Sequence, residues 1–148
     1  MTLQSQVGHA GDVDPVAAYK NLANDSAAQL IDVRTRAEWS FVGVPDLREI
    51  GKEPILIEWQ VWPTMQVAGD FLDRLRAELA ARNVAADAPL YFMCRSGVRS
   101  TAAAACASAE GLGKAFNVAG GFEGPPDEHR HRGRRAGWKA SDLPWIQT

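Results

Sequence analysis

Apolar positions along the chain alternate between short runs of strand length and longer stretches with helical spacing. Residues 29–33 (QLIDV), 55–59 (ILIEW), 89–93 (PLYFM) and 116–118 (FNV) are runs too short for a helix and read as strands. The run at 89–93 is apolar at successive positions, so it offers apolar side chains to both faces, as a central strand of a parallel sheet does. Asp14-Pro15 predicts a helix start, with Asp at the N-cap and Pro at the first helical position. Val16, Tyr19 and Leu22 give that helix an apolar face, and it stops near Asn24-Asp25. Thr35 and Glu38 fit a capping box, predicting a single helical turn that ends near Trp39. Phe71, Leu72, Leu75 and Leu79 recur at helical spacing within 67–82. The alanine-rich stretch 100–110 is a strong helix former, closed by Gly111 or Gly113. Strands alternating with helices imply βαβ units, hence an α/β fold with a parallel sheet covered by helices on both faces. The pattern leaves the strand order open.

A chain of 148 residues, 46% hydrophobic and 23% charged, suits one ordinary globular domain. The first residues lack periodicity, so residues 1–12 are expected to form a flexible arm. The α/β domain is expected over 13–123, and residues 124–148 as an extension packing on it. Met1 to Val13 carry no secretory-signal pattern, and the small-apolar run 102–107 is far shorter than the ~20 residues that span a bilayer. A cytoplasmic protein is expected, with no membrane partner. The formal charge of −2 argues against general nucleic-acid binding. Two cysteines are too few for a disulfide framework, and no Cys/His spacing suits a metal. No cofactor is expected.

The chemistry concentrates in residues 94–100, CRSGVRS, between the central strand and the alanine-rich helix. Strand-to-helix junctions are where α/β proteins place ligand sites. A tight turn here points backbone N–H groups into the loop, and Gly97 permits the backbone angles it needs. The helix dipole, Arg95 and Arg99 add positive potential, so residues Arg95, Ser96, Gly97, Val98 and Arg99 read as an anion cradle. A thiol in that cradle is expected to ionise more readily, making Cys94 a nucleophile. Cys106, among alanines, reads as an inert packing residue.

Three segments resemble the rhodanese family. LIDVR at 30–34, with Glu38-Trp39, is similar to the family's LIDVR…E-aromatic signature. CRSGVRS is similar to its CRxGxRS active-site loop, and NVAGGF at 117–122 to its NVxGG-aromatic segment. The resemblance implies a five-stranded parallel α/β sheet and a single-domain sulfurtransferase. It also implies a persulfide intermediate on Cys94, with sulfane sulfur passing from thiosulfate or a protein persulfide to cyanide or a thiol. By the same resemblance, the backbone and guanidinium groups of 95–99 hold the anionic sulfur. Asp32 and Arg34 match the first signature, where a supporting electrostatic role and a structural ion pair stand equal. The chain departs from the family at 41–47 (FVGVPDL), which lacks the usual histidine.

Two other activities compete with this reading. Phosphatases and arsenate reductases use a C-x5-R loop, but Cys94 and Arg99 are one residue closer, a cradle better sized for sulfur. A non-enzymatic persulfide carrier or interaction module needs the same reactive cysteine. The basic run HRHRGRR at 129–135 reads first as a solvated loop, with closure over the cysteine loop and, behind it, RNA contact as the alternatives. Trp59, Trp62 and Met65 read as packing residues ahead of a place at the site's mouth.

Overall fold

In a computed structural model, residues 8–147 are described. Along the chain the elements are β1 (Gly11–Val13), α1 (Pro15–Asn24), β2 (Gln29–Asp32), α2 (Arg36–Phe41), β3 (Val44–Pro45) and a 3-10 turn (Arg48–Ile50). There follow β4 (Ile55–Leu56), β5 (Gln60–Val61), β6 (Gln66–Val67), α3 (Phe71–Ala81), β7 (Pro89–Met93), α4 (Val98–Ala109), β8 (Lys114–Val118) and β9 (Trp145–Ile146). Five strands form one parallel sheet in the order β1-β8-β7-β2-β4, so β7 is central.

Side-chain alternation on these strands divides the core in two. Ile31, Leu90 and Phe92 face α3 and α4, meeting Phe71, Leu75, Ala103, Ala104 and Ala107. Leu30, Tyr91 and Met93 face the other way, onto Ala18 and Leu22 of α1 together with Phe122 and Trp138. The apolar run at 89–93 is thus buried on both faces, and α/β layering with helices on both sides follows.

Local signals set several boundaries. Asp14 caps α1, its carboxylate accepting from the N–H groups of Val16 and Ala17 at 3.1 and 3.4 Å. Thr35 and Glu38 form the capping box of α2. Three expectations are corrected. The arm expected through residue 12 is shorter, because Gly11 and Asp12 already pair with Phe116 and Asn117 at the sheet edge; residues 1–7 lie outside the described residues. The helix expected from 67 begins at Phe71, since Val67 is used in the β5–β6 hairpin. The strand expected over 55–59 is regular only at Ile55–Leu56. Ile57 and Trp59 still donate to the carbonyls of Asp32 and Val33, while Glu58 turns out to receive the Arg36 N–H at 2.9 Å.

Residues beyond 123 join the same core. Trp138 is fully buried, its indole N–H donating to the Pro144 carbonyl at 2.7 Å, and β9 pairs antiparallel with β3. The Trp138 and Lys139 N–H groups donate to the carbonyls of Gly121 and Phe122.

Candidate active site

Central strand β7 ends at Met93 and delivers Cys94, which is 1% exposed. The chain must then reverse into α4. Gly97 makes that possible at φ 123°, a conformation that strains any residue with a Cβ. Its N–H donates to Cys94 Sγ at 3.1 Å. Ser100, in the first turn of α4 and fully buried, places its Oγ 3.2 Å from the same sulfur. Both contacts suit a sulfur that carries negative charge.

Ser100 is itself held from below. Its hydroxyl lies 2.5 Å from Asn117 Oδ1 on β8, and Asn117 Nδ2 donates to Asp12 Oδ1 at 3.2 Å, which fixes the amide's orientation. His9 completes the chain, 2.9 Å from the same carboxylate oxygen. The His9 hydrogen bond holds the Asp12 carboxyl below its ordinary range, against a smaller opposing effect of burial. The sequence pattern gave Ser100 and Asn117 no role. Both lie inside the recognisable segments CRSGVRS and NVAGGF, so the signal was present but its meaning is three-dimensional.

The turn after β8 braces the cysteine loop. Phe122 N–H donates to the Cys94 carbonyl at 2.8 Å, and Glu123 and Gly124 N–H groups to that of Arg95 at 2.9 and 3.1 Å. Gly121 approaches so closely that a Cβ there would collide with the Cys94 and Arg95 backbone.

The two loop arginines differ. Arg95 is exposed and has no ion-pair partner among the described residues. Arg99 is half-buried and clasped by Glu38, Nη1 to Oε1 at 2.7 Å and Nη2 to Oε2 at 2.9 Å. Arg99, which the sequence places in the anion-binding loop, thus shares its charge with Glu38. Burial alone would raise the Glu38 carboxyl. The Arg99 hydrogen bonds and charge, with help from Thr35, outweigh it and hold that carboxyl below its ordinary range. Burial likewise opposes the charge on Arg99, but Glu38, and more weakly Cys94 and Asp32, keep its pKa raised. Ser96 is half-buried on the loop, and Val98 is 81% exposed.

Asp32 and Arg34 form a separate ion pair. Both are fully buried, joined by Arg34 Nη2 to Asp32 Oδ2 at 2.7 Å, and Arg34 also donates to the Gly43 carbonyl. The guanidinium sits 4.2 Å from the Phe122 ring centroid, in the cluster opposite the one containing Cys94.

A cavity of about 460 Å3 opens beside the loop, lined by Arg95 and Arg99, by Glu38, Phe41 and Val42 of the α2 region, and by Trp62 and Met65. Trp62 and Met65 belong to the β5–β6 hairpin and line the cavity, whereas Trp59 packs edge-on against Phe71 at 5.0 Å. None of residues 129–135 lines this cavity. Among the described residues, no helix is long and apolar enough to cross a membrane.

This fold is that of rhodanese-like domains. More narrowly, the family model described as STR4 middle domain matches residues 11–148, and the chain belongs to that family. The chain is 42% identical to Rv0390 from M. tuberculosis, whose crystal structure superposes with a TM-score of 0.84 over 95% of this chain and 99% of that one. It is 37% identical to "Uncharacterized protein RC0915" of Rickettsia conorii, over 86% of this chain and 90% of that protein. Rhodanese-like domain-containing protein 4, chloroplastic, of Arabidopsis thaliana is 28% identical over 88% of this chain, which spans 24% of that protein.

Proposed function

We propose that this chain is a sulfurtransferase that moves sulfane sulfur through a persulfide on Cys94. The observation that carries the proposal is the pair of donors, Gly97 N–H and Ser100 Oγ, converging on Cys94 Sγ at the end of a buried strand. The Cys94 thiolate attacks the outer sulfur of thiosulfate or of a protein persulfide. The donor's S–S bond breaks, and sulfite or the donor thiolate departs with the electron pair. A thiophilic acceptor, cyanide or a thiol, then attacks the terminal sulfur, and Cys94 leaves as thiolate. The exchange is redox-neutral and needs no cofactor.

The backbone of residues 95–99 and the Arg95 charge support the anionic persulfide. Asp32 and Arg34 act as a structural pair that anchors the end of β2 to Gly43. A cytoplasmic setting suits two unpaired cysteines. The test is turnover: the protein, given a sulfane donor and then cyanide, is expected to release thiocyanate. No thiocyanate with any sulfane donor, alongside hydrolysis of a phosphate ester, would overturn the proposal in favour of a phosphatase.

A further inference from the structure

We propose that the basic loop over residues 124–135 is a docking surface for an acidic protein that exchanges sulfur with Cys94. Resting on the sulfur-transfer reading, it names what that reading leaves open, the surface on which a protein partner is recognised.

Hydrogen bonds hold the loop in one shape. The Asp127 carboxylate accepts from the N–H groups of His129 and His131 at 2.8 and 2.9 Å. Arg132 Nη1 donates to the Gly124 carbonyl at 2.7 Å, and the Gly133 N–H to the Glu123 carbonyl at 2.6 Å. By Trp138 the chain is back against Gly121, to whose carbonyl the Trp138 N–H donates at 2.8 Å. A loop with close ends and internal bracing keeps its side chains in place while remaining outside the core.

The charges on this loop are unspent. Arg34, Arg48, Arg76 and Arg99 each hold a carboxylate. Among the described residues, the one ion pair of the basic run joins His129 to Glu128 at 3.6 Å, and its four arginines hold none. Arg130, Arg134 and Arg135 are exposed. Four positive charges are thus gathered on a chain whose formal charge is −2. A guanidinium fork without a partner is matched to carboxylates on another surface.

The base of the loop is the brace of the cysteine loop. Glu123 accepts from Gly133 on one side, and its own N–H donates to the Arg95 carbonyl at 2.9 Å on the other. Exposed Arg95 therefore continues the positive surface toward Cys94. None of residues 129–135 lines the cavity, so a small anion beside the sulfur touches none of them. A ligand that meets both must reach across Glu123, which is the scale of a protein surface.

Sulfur chemistry favours a protein over a nucleic acid here. The partner's cysteine thiolate attacks the outer sulfur of the Cys94 persulfide and forms a new S–S bond. The bond to Cys94 Sγ breaks, Cys94 leaves as thiolate, and the persulfide stays on the partner, with no net oxidation. A nucleobase carbonyl would first need activation by a further reagent, which this exchange does not supply. Carboxylates around the partner's cysteine would be steered onto the arginines.

The probes are two peptides of equal length, each with one cysteine, flanked by glutamates in one and by serines in the other. Cys94 is loaded from a sulfane donor, and transfer to each peptide is followed by intact mass. The two thiols differ in intrinsic reactivity, so the quantity read is the change in their rate ratio between the wild type and the double variant Arg130→Gln, Arg134→Gln, which spares the bracing Arg132. At low salt the glutamate-to-serine ratio should fall about tenfold in the variant. At ~0.5 M salt, where charges are screened, the two proteins should converge. An unchanged ratio, or a fall that salt does not diminish, overturns the docking surface while leaving sulfur transfer intact. A single-stranded RNA that blocks transfer in the wild type but not in the variant, with the peptide ratio unchanged, would assign the loop to nucleic acid and overturn it too. Failure of every sulfane donor to load Cys94 overturns the sulfur-transfer reading itself.

Discussion

Ser100→Ala removes a single hydroxyl from beneath Cys94 and isolates its effect on the sulfur. The hydroxyl has one proton and three acceptors in reach: Asn117 Oδ1 at 2.5 Å, and Cys94 Sγ and the Gly97 carbonyl, each at 3.2 Å. Asn117 Nδ2 is committed to Asp12, so its oxygen must face Ser100 as an acceptor. With a neutral thiol, the proton belongs to the shorter bond and Ser100 can accept from the S–H. When the sulfur becomes charged, the proton swings toward Sγ and the Asn117 bond is given up. A hydrogen bond to a charged group is worth about 1.5–3 kcal/mol, and the sacrificed bond places the net effect near the lower end. That corresponds to roughly tenfold in the rate of sulfur uptake. The same substitution leaves Asn117 Oδ1 buried without its donor, costing about 1–3 kcal/mol of stability, so folding is checked by circular dichroism. The assay is the time course of mass gain on mixing with a sulfane donor. Asn117→Ala is the comparison: it frees the hydroxyl for the sulfur and should slow uptake less than Ser100→Ala. A folded Ser100→Ala protein with wild-type uptake would refute the role given to the hydroxyl.

Two further predictions concern the ion pairs. The Glu38 carboxyl is held below its ordinary value, so its pairing with Arg99 stabilises the fold above that value and is lost as pH falls through the lower, folded one. Urea unfolding followed from neutral pH to about pH 3 should therefore show a steeper acid loss in the wild type than in Glu38→Gln; parallel curves would count against it. Arg34→Ala strands the buried Asp32 carboxylate and should cost about 3–5 kcal/mol in urea unfolding, whereas an unshifted midpoint would show that the pair has no structural weight.

What the sequence disclosed was local. The Asp14 cap, the Thr35–Glu38 box and the doubly apolar PLYFM strand are each contained within a few residues, and their physics is read from adjacent side chains. What stayed hidden depends on partners far along the chain. The strand at Gly11–Val13 has no hydrophobic pattern of its own and exists because Phe116–Val118 offers it an edge. Val67 satisfies a helical period but is taken by a hairpin whose turn the pattern did not mark. The pairing of Arg99 with Glu38 stayed hidden because Glu38 stands 61 residues earlier on another helix. Trp138 entered the core because its backbone reaches back to Gly121. The place of Cys94 between a buried strand and a helix was legible from its neighbours, while the Ser100–Asn117–Asp12 chain beneath it requires β1, α4 and β8 to be adjacent.

The two cysteines offer an internal control. Cys106 is half-buried on α4, and burial, with a smaller contribution from Glu110, pushes its thiol up despite the opposing charge of Arg76, which disfavours its thiolate. Intact mass after exposure to a sulfane donor, read for the wild type, Cys94→Ser and Cys106→Ser together, is the decisive measurement. A gain of one sulfur in the wild type and Cys106→Ser, absent from Cys94→Ser, is the expected result. A gain that survives in Cys94→Ser, or none in any of the three, would contradict a persulfide on Cys94.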